Sequence, residues 1–149
     1  MDSYLAAEAP ICERLRAVLP GIDRRVRVMA APDLQGTKEA GQPTPRVDVL
    51  YHGDNRVEAQ GDGRVTDIGQ TWVCVVCVDN VAGIRQGVEA RQDAGTLAMA
   101  VVRALTAREW HPGGGLSRLR QIASPYAASY AGGRMYLPLA FSTSFQLRS

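Results

Sequence analysis

Apolar positions along this chain recur with two periods, and the alternation between them divides it into helix, strands, helix and strands. From roughly Tyr4 to Leu19, residues Ile11, Leu15, Val18 and Leu19 fall on one face at helical spacing, with Ser3 placed as N-cap and Pro20-Gly21 as the stop. Pro10 interrupts this pattern, so either the helix begins near Ala9 with Pro10 in its first turn, or it kinks there. Arg25 to Met29 alternates as a short strand. Arg46 to His52 places Val47, Val49 and Tyr51 on one face, and Gly53, Asp54 and Asn55 close it as turn residues. A second run, Arg56 to Gln60, is placed to pair with the first before Gly61-Asp62-Gly63 breaks the chain again.

The longest strand region is Arg64 to Asn80. After Thr71 its core is apolar at every position, so Trp72, Cys74, Val76 and Val78 point to one side and Val73, Val75 and Cys77 to the other. Both faces therefore need a cover, from helices or from a second subunit. Beyond a polar turn, Asp79 to Gly83, the stretch Gln86 to Glu109 reads as a long helix with an inner stripe of Ala90, Ala94, Leu97, Ala98, Val101 and Leu105. Its charged residues Arg91, Asp93, Arg103, Arg108 and Glu109 lie off that stripe, and Trp110-His111-Pro112 with three glycines ends it. Ser117 to Ser124 and Arg134 to Leu147 are the closing strands, separated by the turn-rich Pro125 to Gly133. Between Phe141 and Leu147 the alternation sets one dry face against one polar face.

With no repeat and no regular strand-helix-strand alternation, the expected class is α+β: a single mixed or antiparallel β-sheet with an N-terminal helix and one long helix packed on it. A length of 149 residues fits one domain over residues 1–149. The exception is a loop over about 31–45. Pro32 to Pro45 holds three prolines, two glycines and few apolar residues, so it is expected to be flexible and to order only against a partner.

Composition narrows the chemistry. Apolar residues make up 46% and charged residues 21%, the balance of a folding globular chain, and the formal charge of +2 is too small to imply a nucleic-acid partner. The densest basic cluster, Arg24, Arg25 and Arg27 with valines between, reads as the solvated face of a strand before it reads as a phosphate contact. No signal-peptide pattern opens the chain and no apolar run reaches the ~18 residues of a membrane span. Residence in a cytoplasm is expected, and three cysteines then read as reduced thiols.

Cys74-Val75-Val76-Cys77 matches C-x-x-C, but within a strand the two thiols point to opposite faces and cannot close on one metal. His52 and His111 each adjoin a turn, outside any H-x-x-x-H pattern. Gly61-Asp62-Gly63 and Gly113-Gly114-Gly115 lack the companions of a dinucleotide or phosphate loop, and Asp54, Asn55, Glu58 and Asp62 lack EF-hand spacing. No catalytic, cofactor-binding or metal-binding residue is assigned, and a non-enzyme is expected.

Several segments in order resemble the tail terminator proteins of Mu-like and lambda-like phages. They are Ile11-x-x-Arg14-Leu15 with Leu19-Pro20-Gly21, Val47-x-Val49-x-Tyr51-x-Gly53, and Gln70-x-Trp72-x-x-x-Val76-x-Val78-x-Asn80. Ala94-Gly95-x-Leu97 with Ala104-Leu105, Trp110-x-Pro112 and Pro138-Leu139-x-Phe141 complete the set. The similarity spans nearly the whole chain and is carried by order and spacing. Glu109 departs from it, since relatives often have glycine there, which bears on how the long helix ends.

The resemblance implies a structural virion protein that caps the tail tube as a homo-hexameric ring, terminates tube polymerisation and presents a surface to the head connector. Implied partners are other copies of itself, the tail tube protein and a connector or neck protein, with DNA only in transit through the lumen and no membrane. The implied place is the head-proximal end of a phage tail, with assembly in the host cytoplasm. Two alternatives remain: another ring of the head-tail neck, and a small cytosolic ligand-binding domain or enzyme with a pocket beneath Trp72 and Trp110.

Overall fold

A computed structural model describes residues 2–39, 42–80 and 84–149, with residues 84–87 described by backbone alone. Helix α1 spans Glu8–Val18 and runs into a single 3-10 turn, Leu19–Gly21. Pro10 lies in its first turn, where a missing N–H costs nothing, so of the two alternatives the start near Ala9 holds. Ser3 does not cap it; the Ser3 hydroxyl accepts from Leu5 N in a separate turn. Strand β1 (Arg27–Ala30) follows, then a one-turn helix α2 (Leu34–Thr37) capped by Asp33, whose carboxylate accepts from Gly36 N at 2.7 Å. Strands β2 (Arg46–Gln60) and β3 (Val65–Asp79) are each 15 residues long, and α3 covers Ile84–Thr106. Short strands β4 (Arg120–Ile122) and β5 (Ser129–Ala131) precede the long β6 (Arg134–Arg148).

These strands form one mixed sheet in the order β1-β2-β3-β6-β4, with β5 also paired to β6. Among the described residues only β1 and β2 pair in parallel. Four differences from the sequence expectation have physical causes. The runs 46–52 and 56–60 do not pair with each other but form one strand carrying two β-bulges, because His52 and Asn55 are absorbed as extra residues against an unbroken β3. The stretch 117–124 is largely irregular, yet Ser117 still bonds across to Thr143 and Ser144. β5 lies where only turns were expected, and Gly132 and Gly133, at φ +58° and +74°, supply the tight hairpin that joins it to β6. Leu147 breaks the dry-face pattern of β6, since it is exposed while Ser142 and Thr143 are buried.

Both helices pack on one face. α1 lies over β1 and β2, α3 over β3 and β6, and the layer buries Ile11, Leu15, Val47, Val49, Trp72, Cys74, Val76, Leu97, Val101 and Phe141. The alanines of α3 at 90, 94 and 98 let its axis approach the sheet. α3 ends at Thr106, three residues before the expected Glu109. Its preceding turn, from Asp79 to Gly83, falls at 81–83 outside the described residues. The other face of β3, with Val73, Val75 and Cys77, is fully buried beside Leu50, Tyr136 and Ala140. Neither α1 nor a neighbour covers it. Two loop segments of the same chain do so, through Ala31 and Leu34 on one side and Ile122 and Tyr126 on the other. The doubly apolar strand therefore carries no demand for a partner.

Candidate assembly surfaces

The loop after β1 is anchored by a buried charge. Arg46 and Asp48 share the second face of β2, where alternation marked them only as polar positions. Arg46 is fully buried and Asp48 nearly so, and the guanidinium Nε lies 2.9 Å from the carboxylate. The same guanidinium donates to Pro43 O at 2.9 Å and to Thr37 O, and so holds both ends of the loop against the sheet. Burial pushes the Asp48 carboxyl up while Arg46 pulls it down, with burial the larger cause. A stretch expected to order only on a partner thus contains a helical turn and a buried Thr37; residues 40 and 41 lie outside the described residues. The signal overlooked in the sequence was opposite charges at i and i+2 beside a strand whose two faces are both dry.

Farther along, β2, β3 and β6 continue together past the helix layer as a three-stranded extension closed by the turn 61–64. The two bulges aim its side chains. His52 and Asn55 are the extra residues, and both reach toward the second face: His52 Nδ1 lies 3.0 Å from Tyr126 Oη, and Asn55 Nδ2 donates to Thr71 Oγ1 and Ser142 Oγ. Two insertions together restore the parity of the strand. Val57 therefore lines up with Ile68 and Phe145, and Ala59 with Thr66 and Leu147, on the helix side. Opposite them lie Arg56, Glu58, Asp67 and Gln146.

The base of the extension is tied to the N-terminal turn. Tyr4 packs edge-on against Phe145 with ring centroids 5.5 Å apart, and both Tyr4 and Tyr51 donate to the Asp54 carboxylate; that bond raises the pKa of Tyr4, while burial first and the bond second raise that of Tyr51. Gln70, fully buried, donates to Tyr4 O and accepts from Trp72 Nε1. The Gln70-x-Trp72 spacing is thereby explained: i and i+2 share a face, and the amide satisfies an indole N–H in a dry core.

A third feature is an open groove of about 880 Å³ between α1 and α3, with Ile22 and Met99 exposed within it and Arg14 and Arg103 among its lining. Arg14 also pairs with Glu109 at 3.6 Å and lies over the Trp110 ring.

The sequence candidates for chemistry are dispersed. Cys74 faces the helices and Cys77 the opposite side, and burial raises the pKa of Cys12, Cys74 and Cys77 alike. His111 accepts from Gly113 N within its own turn. Trp72 is wholly buried and Trp110 lies apart from it beside Arg118 and Leu119, so the two indoles do not frame a shared pocket. Among the described residues no group of three or more His, Cys, Asp or Glu is arranged for a metal, and no helix is long and apolar enough to cross a membrane.

The family model for phage tail terminator proteins matches residues 1–149, the whole chain. The chain belongs to the phage tail terminator family. A chain in the solved virion of a native gene transfer agent particle has the same fold, with a TM-score of 0.60 and 20% identity over 97% of this chain and 100% of that chain. No curated protein sequence matches. This terminator-family protein is accordingly a structural tail protein and a virion component, and its α+β fold, with one mixed sheet and two long helices, is the class the resemblance implied.

Proposed function

We propose that the subunit closes the head-proximal end of the tail tube as a homo-hexameric ring, ends tube polymerisation and offers its outer surface to the head connector. The observation that carries this reading is a terminator-family match running the full length of the chain. A ring of identical subunits joins two different patches of each copy, which requires separate surfaces on one subunit. The chain acts by shape and contact and not as an enzyme, a reading supported by its structural family. DNA passes through the lumen, and the formal charge of +2 accords with passage over retention.

The loop over 31–45 is the proposed contact with tube or connector, because it presents the exposed polar residues Gln35 and Glu39. Deleting Gln35 to Gln42 would remove the Thr37 carbonyl that Arg46 holds. Replacing the exposed Gln35 and Glu39 by arginine tests the contact without touching that anchor. Tails of normal length that join heads normally would refute the loop's role. For the ring itself, native mass and negative-stain images of the protein, alone and on tube ends, should show six-fold rings. Tubes of unregulated length in the presence of the protein would overturn the terminating role.

A further inference from the structure

The sheet is closed at its edges only near the body of the subunit. Strand β1 pairs with β2 from Arg46 to Val49, and β4 with Ser117 covers the outer edge of β6 no farther than Ser144. Among the described residues no strand pairs with either outer edge beyond those points. The extension therefore ends in two open edges, 56–60 on β2 and 145–148 on β6, set level with each other across β3. Open edges are templates for another strand.

Alternation decides which backbone groups point outward. Ser144 O accepts from Ser117 N and Ser144 N donates to Ser117 Oγ, so Gln146 and Arg148, on the same phase, turn N–H and C=O away from β3. On β2 the carbonyl of Val49 accepts from Ala31 N on the outer side, and with parity restored by the two bulges, Val57 and Ala59 turn outward as well.

The side chains at the two edges are matched. On the helix side, Val57 is 61% exposed at the β2 edge and Leu147 53% exposed at the β6 edge. On the other face Glu58 and Arg148 are exposed, and neither has an ion pair among the described residues; Arg148 reaches only Gln146 Oε1. The remaining acids of the extension are engaged, Asp54 by Tyr4 and Tyr51, Asp62 by Arg64 and Asp67 by Arg56. Because β2 and β6 both run antiparallel to β3, they point the same way, and copies related by rotation bring the two edges together in parallel. One register sets Leu147 opposite Val57, Arg148 opposite Glu58, and the outward groups of Arg148 between those of Val57 and Ala59. A slip of one residue would put apolar side chains opposite charged ones.

We infer that the β6 edge of one subunit pairs in this register with the β2 edge of the next, so that the occupant of each open edge is a second copy. The contact is heterologous, and the sheet continues from copy to copy around an axis. This rests on the ring reading above and specifies which surfaces make the ring.

The three native thiols are buried, so cross-linking through introduced cysteines reports only on the chosen positions. Mixing Val57→Cys and Leu147→Cys subunits with a short bis-maleimide should give a covalent dimer that neither variant gives alone, and the double variant should give a ladder. Ala59→Pro removes an outward N–H that the subunit's own ladder does not use, and should abolish assembly with far-UV circular dichroism unchanged. Glu58→Arg and Arg148→Glu should each weaken association roughly threefold or more, as like charges opposed across a strand pair do, and the chain carrying both changes should recover it. Rings that form without the mixed cross-link, or Ala59→Pro rings that match wild type, would overturn this pairing and leave the ring reading standing. Should Ala59→Pro fail to fold, a doubly exchanged chain no better than the single variants would overturn it. Cross-linking of either cysteine variant to itself would do the same, in favour of a two-fold dimer. Wild-type protein that stays monomeric at all concentrations, and on tube ends too, would overturn the ring reading and this pairing together.

Discussion

Replacing Arg46 by methionine removes the cation paired with a carboxylate that is 3% exposed, and the consequence is calculable from its surroundings. Asp48 loses its partner, while Thr37 O and Pro43 O lose the donor that holds the loop. Breaking a buried pair from one side costs about 3–5 kcal/mol, a large share of the ~5–15 kcal/mol that holds a domain together. At this length each kcal/mol lowers Tm by about 2–4 °C, so a fall of ~10 °C is expected. Urea unfolding should give the same loss through a lower midpoint at an unchanged slope.

The loss depends on pH with a definite sign. Burial already holds the folded-state pKa of Asp48 above its ordinary value, and without Arg46 it rises further. A raised carboxylate pKa means that the folded state binds the proton more tightly, so stability falls as pH rises above the unfolded value. The gap between Arg46→Met and wild type should therefore narrow between pH 7 and pH 5. The double change Arg46→Met with Asp48→Leu, which puts two apolar side chains beside Leu50 and Cys77, should recover most of the loss. A single variant within about 1 kcal/mol of wild type, or a double variant no better than the single, would refute the reasoning.

Gly69→Ala would drive its Cβ into Asn55 Oδ1 and break the bonds from Asn55 to Thr71 and Ser142, at a cost of about 1–3 kcal/mol. In an Asn55→Ala background the same change should be nearly neutral, which a double-mutant cycle reads directly. Gln70→Leu strands Trp72 Nε1 in the core and should cost about 1–3 kcal/mol by denaturant titration. Cys12, Cys74 and Cys77 should stay unlabelled by a thiol reagent in the native protein and all react once it unfolds; fast labelling of any one at native pH would contradict the burial. Asp23 accepts from Arg25 N and its guanidinium, which lowers its pKa, so its contribution holds above the ordinary carboxylate range and is lost as pH falls through the folded value. Asp23→Asn should accordingly lower Tm slightly at pH 7 and not at pH 2.

Periodicity alone was enough to place α1, α3, β3 and most of β6, because a helix stripe or a strand face is a local consequence of backbone geometry. The inner stripe of α3 and the two faces of β3 were read residue by residue. The same rule separated Cys74 from Cys77 and removed the reading of the pair as ligands of one metal. Local pattern failed where the chain departs from regular geometry. The bulges at His52 and Asn55 looked like a turn, since Gly53, Asp54 and Asn55 are turn residues in any context that lacks a long neighbouring strand.

The assembly surfaces were legible only in part. Leu147 reads as an ordinary member of a dry strand face and Val57 as part of a short second strand, and their exposure follows from the helices stopping short of the hairpin's end. The groove depends on how α1 crosses α3, which no spacing within either helix specifies. Order and spacing across the whole chain were sufficient for the family, since they preserve a core whose parts must meet.

What the sequence by itself determined is the two long helices, the longest strands, the class and the doubly buried character of β3. Those follow from side-chain periods of 2 and 3.6 and from the need to bury apolar surface. Tertiary structure alone decided what covers the second face of β3. Two loops do it, one fastened by Arg46 through backbone carbonyls that carry no side-chain signature in the sequence.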